Sequence, residues 1–233
     1  MFLYHHIVGE RIQRGSHAIH AIEPPLQTQV RLKTKLSCNE YISKKAWQSE
    51  ILSTCPIHPK GGCSFSRLGS YERKNPEGLI ILRWYCPKEH ISFSLIPDFA
   101  ASHVPSTLNE IEDAVVQFNN NIEDGMSREL AARNLRPDIE PAGALRWIHR
   151  RIQWVEISIA ILVGLAPLLL SNIKPTIPEL RHSLEVDCVL VQMREIASKQ
   201  LQHCPTPLGF THMPKTKFKI KKRSPHKRGP EPP

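Results

Sequence analysis

The sequence predicts an α+β protein: a small β-hairpin module stapled by a metal, then an all-helical region, then a disordered basic tail. Three observations carry this. Two Cys-Pro steps, Cys55-Pro56 and Cys86-Pro87, stand about thirty residues apart around two strand-like segments. Beyond residue 104 the apolar residues recur at three and four, the spacing of a helix face. From His203 onward the chain turns Pro-rich and basic.

Each Cys-Pro step is followed by another soft donor: His58 or Cys63 after the first, His90 after the second. Asn75-Pro76-Glu77-Gly78, a dense turn signal, joins the strands between them. This is the plan of a zinc ribbon, in which a hairpin brings two ligand-bearing loops together around structural Zn²⁺. That ion accepts thiolate and imidazole alike and closes a four-ligand tetrahedral site. Five candidates compete for four places. Cys55, Cys86 and His90 take three, and the fourth is Cys63 or His58. Spacing favours His58, because Cys-x2-His makes a tight loop. The run Ser64 to Gly69 favours Cys63, because a ribbon passes straight from its second ligand into its first strand. The reading adopted is Cys55, Cys63, Cys86 and His90, with His58 as the substitute. The competing reading is a set of ordinary thiols and surface histidines. Against it, the segment has little apolar material for its length, and units this small usually need a metal or disulfides.

The pattern CP…C…LGSY…RWYCPKEHISFSLIPDF resembles the amino-terminal zinc ribbon of bacterial insertion-sequence transposases. It is similar also to transposase-like proteins of unknown function that carry CP-x-HP-x-GGC and RWYCP. The resemblance runs from about Trp47 to the Pro-rich end, and its most specific motifs lie in residues 55 to 99. One departure is visible: the ribbon's usual final Cys is His90 here, one residue further on. The resemblance implies zinc and DNA. For a complete transposase it also implies three carboxylates holding divalent metal ions on an RNase H-like sheet.

Composition agrees with an anionic partner. Lys and Arg number 31 against 22 Asp and Glu, a formal charge of +9. The six cysteines do not form a disulfide framework: beyond Cys55, Cys63 and Cys86, the remaining Cys38, Cys188 and Cys204 have no regular spacing. The start, MFLYHHIVGERIQRG, lacks the features of a signal peptide. A cytoplasmic, reducing setting is therefore expected.

Four stretches are expected along the chain: 1–45, poorly ordered; 46–100, the ribbon; 104–201, a helical domain; and 202–233, a disordered tail. A short helix around Lys44 to Leu52 leads into the ribbon, whose strands run Arg67 to Lys74, Leu79 to Tyr85 and Ile91 to Leu95. In the helical region Thr107-Leu-Asn-Glu110 is a capping box. It opens a helix with Leu108, Ile111, Val115 and Phe118 on one face, broken by Asn119 to Gly125. Ser127 caps a short helix to Leu135, and Pro141 opens a longer one. Thr176-Ile-Pro-Glu179 repeats the capping pattern and opens a last helix to about Leu201. No internal repeats are visible.

The order of helices is compatible with a helix-turn-helix whose third helix offers Arg146, Arg150 and Arg151 to DNA. A solvated basic face is the plain alternative. In the ribbon Arg67, Arg73, Lys74 and Arg83 give a positive bias. The tail carries Lys215, Lys217, Lys219, Lys221, Lys222, Arg223, Lys227 and Arg228 against Glu231 alone, a composition suited to tracking phosphates. No βαβ alternation, phosphate loop or nucleophile elbow stands out, so no catalytic residue and no small-molecule substrate is expected. The expected function is DNA binding of mobile-element origin, as an accessory, remnant or regulator. The alternatives are a catalytic transposase with an unrecognised acidic metal site, and a membrane-associated protein anchored by the uncharged stretch 157–173.

Overall fold

The computed structural model describes residues 28–167 and 173–211. The ribbon hairpin forms where its turn chemistry and alternation place it. Strands β2 (Ser66–Glu72), β3 (Ile80–Cys86) and β4 (Ile91–Pro97) pair antiparallel in sequence order. On β3, Leu82, Trp84 and Cys86 alternate with Arg83 and Tyr85. Cross-strand pairing sets Leu82 against Leu95, Trp84 against Phe93 and Cys86 against Ile91, so these six share one sheet face.

A fourth strand, β1 (Gln29–Leu32), adds parallel to β4, giving the order β1-β4-β3-β2. This corrects the expectation that residues 1–45 lack order, at least from residue 28. Four residues are too short to show a period, and this strand is held by non-local partners: Arg31 bonds Asp98 at 2.5 Å and also pairs with Glu195. The next helix also differs from expectation. It is α1 (Cys38–Ser43), followed by a 3₁₀ turn, Ala46–Gln48. Its capping box, Ser37 with Glu40, was the signal for it in the sequence.

Three helices follow the sheet: α2 (Leu108–Glu123), α3 (Arg128–Leu135) and α4 (Pro141–Leu165). The Thr107–Glu110 box closes in both directions, at 3.1 and 2.8 Å, and Leu108, Ile111, Val115 and Phe118 are buried. Helix α2 ends inside the expected break, Asn119 to Gly125, but at its far side, running on to Glu123. The single last helix is two: α5 (Ile177–Leu184) and α6 (Val189–Ile196). Thr176 precedes α5 but makes no capping bond, and Pro178 removes one of the first-turn donors such a cap would serve.

The sheet and the helices share one hydrophobic core, in which Leu79, Ile81, Leu82 and Ile96 meet Leu108, Ile111, Ile148 and Leu190. The ribbon is therefore not a separate module. Residues 202–211, assigned to the tail by their prolines, also belong to this core: Leu208 and Phe210 are buried. No named strand follows Pro97 among the described residues, as expected for the helical half. No described helix is long and apolar enough to cross a membrane. Residues 157–165 are the last turns of α4, with Ser158 and Leu162 buried. Residues 168–172 lie outside the described residues.

Two buried charges tie these parts together. Glu112 of α2 has no exposed surface, and it accepts from the backbone N–H groups of Val189 (3.1 Å) and Leu190 (2.9 Å). It thus caps α6 from a neighbouring helix, and Arg181 of α5 neutralises it at 2.6 Å. Arg194 of α6 is fully buried and donates to five carbonyl oxygens: Pro97, Asp98, Ala100, Pro207 and Leu208. One guanidinium thereby fastens the end of β4 and residues 207–208 to α6. Burial pushes its pKa down to about 9.

Replacing Arg194 by Met should leave these carbonyls without donors and destabilise the fold by at least about 3 kcal/mol. Arg194→Lys should recover only part, because an ammonium has three donors and no planar fork. Urea denaturation monitored by circular dichroism measures both, and a wild-type midpoint for the Met variant would contradict the account.

Candidate metal centre

Cys55 begins a loop that precedes β2, and Cys86 ends β3. The loop must reverse to return Cys63 to the same place. Gly61 (φ +83°) and Gly62 (φ +84°) both take the left-handed conformation this needs, and Gly61 N–H closes a turn onto the His58 carbonyl at 2.9 Å.

The result brings Cys55, His58, Cys63 and Cys86 together, with their donor atoms all within 4.8 Å of one another. The four can hold a metal ion such as zinc. His58 Nδ1 lies 3.7 Å from Cys55 Sγ and 3.5 Å from Cys86 Sγ. In a tetrahedral site with Zn–S of about 2.3 Å and Zn–N of about 2.0–2.1 Å, neighbouring S and N atoms stand about 3.6 Å apart. The two gaps straddle that distance.

The outer nitrogen of His58, Nε2, lies 3.2 Å from Glu89 Oε1. A carboxylate at that outer nitrogen orients the ring so that Nδ1 faces the sulfurs, the arrangement of a metal-binding imidazole. The three sulfurs are buried beside Phe93, with Ile57, Phe65 and Ile91 packed around them. Phe65 stacks on Trp84 at 5.5 Å and meets Phe93 edge-on at 6.0 Å.

The thiols themselves respond to crowding. Burial works against ionisation of Cys55, but bonds from the backbone N–H groups of His58 and Ile57 and from the His58 ring outweigh it and hold the thiol at about 7. Cys63 is pushed up to about 11, first by burial and then by the neighbouring sulfurs of Cys55 and Cys86. A cation among the three would offset the burial and repulsion that hold Cys63 up.

The expected ligand set is thus corrected at one place. Cys55, Cys63 and Cys86 meet as expected, but the fourth member is the substitute, His58, and not His90. Tyr85 and Cys86 point to opposite sheet faces, and His90 goes with Tyr85. Its Nδ1 lies 3.0 Å from the Tyr85 hydroxyl, and its φ of +55° turns it out of the Cys86 side. The first loop supplies three donors and the second only one. Cys188, outside the cluster, is buried against Glu112 at 3.4 Å.

The basic candidates separate by burial. Arg67 and Lys74 are exposed and Arg83 half-buried, but Arg73 is 9 % exposed and donates to the Val104 carbonyl at 3.2 Å. It is a structural residue and not a phosphate contact. On α4, Arg146 pairs with Glu140 at 2.7 Å and Arg150 is exposed. Arg151 turns inward, with its guanidinium carbon 3.6 Å from the Trp147 ring centre. The α3–α4 linker, residues 136–140, is longer than the turn of a compact helix-turn-helix. The tail residues from Lys215 to Arg228 lie outside the described residues. Among the described residues no other group of three or more His, Cys, Asp or Glu side chains is placed to hold a metal. The carboxylate triad of a catalytic transposase is thus not brought together there. No family model, curated protein or solved structure matches the chain.

Purified protein should carry one metal ion per chain, lost in Cys55→Ser and Cys86→Ser and weakened in His58→Ala. Glu89→Gln should lower affinity about 10- to 100-fold. His90→Ala should keep full stoichiometry by elemental analysis. Loss of the metal in that variant, with retention in His58→Ala, would restore the original assignment.

Proposed function

We propose that this protein is a zinc-stapled DNA-binding protein of mobile-element, transposase-like origin, acting as an accessory, remnant or regulatory factor. The observation that carries the reading is the Cys3His cluster with its Glu89-oriented imidazole, set at the basic end of the sheet. Three sulfurs and one nitrogen suit Zn²⁺, and four protein donors leave no open coordination position, which favours a structural over a catalytic ion. Around it Lys60, Arg67 and Lys88 are exposed, and residues 55–95 contain six Lys or Arg against three Glu. Glu89 is already engaged by His58. Such an end attracts a polyanion, and phosphate contacts supply most of the affinity of a non-specific DNA complex.

The metal end is a better candidate contact than α4, where Arg146 is ion-paired and Arg151 turned inward. The eight basic residues of 215–228 would add a sequence-independent arm. The transposase-like part of the proposal rests on the CP-x-HP-x-GGC and RWYCP motifs.

A salt titration of duplex binding tests this. Lys60→Ala, Arg67→Ala and Lys88→Ala together should lower the slope of log affinity against log salt by about 2–3 units, at 0.9 per phosphate contact. Removing residues 212–233 should lower it by up to about 7 units, equally for all sequences. Unchanged slopes in both variants would refute DNA as the partner.

A further inference from the structure

A second candidate site lies away from the metal centre. A cavity of about 860 Å³ opens between α2, the α3–α4 linker and α4, with Trp147, Arg151 and Trp154 along one wall and Arg150 at its rim. That volume is within the range of small-molecule sites.

Three carboxylates and three guanidiniums line it, but they are not paired one to one. Its carboxylates are all engaged. Glu110 accepts from the Thr107 N–H and the Ser106 hydroxyl, both at 2.8 Å. Asp113 pairs with Arg181 at 2.5 Å. Asp138 takes Arg136 through two bonds of 2.6 Å. Arg150 and Arg151 have no carboxylate partner among the described residues; their hydrogen bonds go to carbonyls of their own helix, at Arg146 and Trp147. Arg151 Nε is buried with no partner at all. Burial, and then the charges of Arg136 and Arg150, push the Arg151 pKa down to about 10, with the Glu110 carboxylate working the other way.

Arg151 ties no two elements together, unlike Arg194. Glu110 is the carboxylate that acts on this part-buried guanidinium, and it makes no ion pair with it, so an anion in the cavity would complete its compensation. Trp147 is already covered by the guanidiniums of Arg151 and Arg136, and Trp154 offers flat apolar surface to a ring. Guanidinium with aromatic surface is the chemistry that recognises a phosphate carried on a base and sugar.

We propose that this cavity binds a nucleotide, with its phosphate on Arg150 and Arg151 and its base against Trp154. The nucleotide is either free or the 5′-phosphorylated end of a strand. The site is independent of the DNA contacts proposed at the metal end.

Two of the chain's four tryptophans line the cavity, so their fluorescence reports occupancy. The full chain is titrated with AMP, with adenosine, and with a short single-stranded oligonucleotide with and without a 5′-phosphate. Saturable change with AMP, or with the phosphorylated oligonucleotide alone, supports the site and identifies its source. Adenosine, or the unphosphorylated strand, should bind at least about tenfold more weakly than its phosphorylated counterpart. Arg150→Gln, at an exposed position, should weaken binding about tenfold or more, and Arg151→Met likewise, while Arg146→Gln should not. The proposal is overturned if neither phosphorylated probe gives a saturable change, if the phosphate makes no difference, or if Arg150→Gln binds as the wild type does. A metal-end variant that loses duplex binding yet still binds AMP keeps the two sites distinct.

Discussion

Three thiols and an imidazole confined within 4.8 Å set the central constraint on this molecule. Ionising one sulfur there makes ionising the next harder, because like charges at that separation repel strongly in a buried setting. A divalent cation reverses the sign of the problem. The loop from Cys55 to Cys63 has no helix or strand of its own, so its shape depends on whatever joins its three donors to Cys86. A small sheet edge gains from such a staple what its few apolar residues cannot provide.

From that end the constraint passes along β4. Ile91 begins the strand beside Cys86, and its far end delivers the carbonyls of Pro97, Asp98 and Ala100 to Arg194. Arg31, on the neighbouring parallel strand, holds Asp98 from the other side. Metal cluster and buried arginine therefore stand at opposite ends of one strand. The sheet is positioned by the cluster and then fastened to the helices by charge buried with its partners satisfied, the condition under which buried charge is tolerated.

Local signals were legible in the sequence wherever the structure is local. The Asn75–Gly78 turn and the alternation on either side placed β2 to β4 within two residues. The Thr107–Glu110 box placed the start of α2. Cys55 and Cys86 stood out as repeated Cys-Pro steps, and Cys63 was chosen against the spacing by the strand-like run that follows it. His90 misled because spacing along a chain does not say which sheet face a turn residue joins, and here Tyr85 sets it on the wrong one. Strand β1 and residues 202–211 were missed for a different reason. Their structure comes from partners more than sixty residues away in one case, and from Arg194 in the other, and neither leaves a period in the sequence. Gly209 shows the same closeness: a Cβ there would run into the Cys204 backbone. Arg151 read as a candidate DNA contact and Arg194 gave no signal of its own, though Arg194 is a fully satisfied anchor and Arg151 lines a cavity against Trp147.

The central claim is that the four side chains form one closed metal site with His58 as the nitrogen donor. X-ray absorption at the zinc edge on purified protein reads the ligand shell directly. The account predicts three sulfurs at about 2.3 Å and one nitrogen at about 2.0–2.1 Å, with the nitrogen kept in His90→Ala and lost in His58→Ala. A shell of oxygen and nitrogen alone, or one with fewer than three sulfurs, would contradict it.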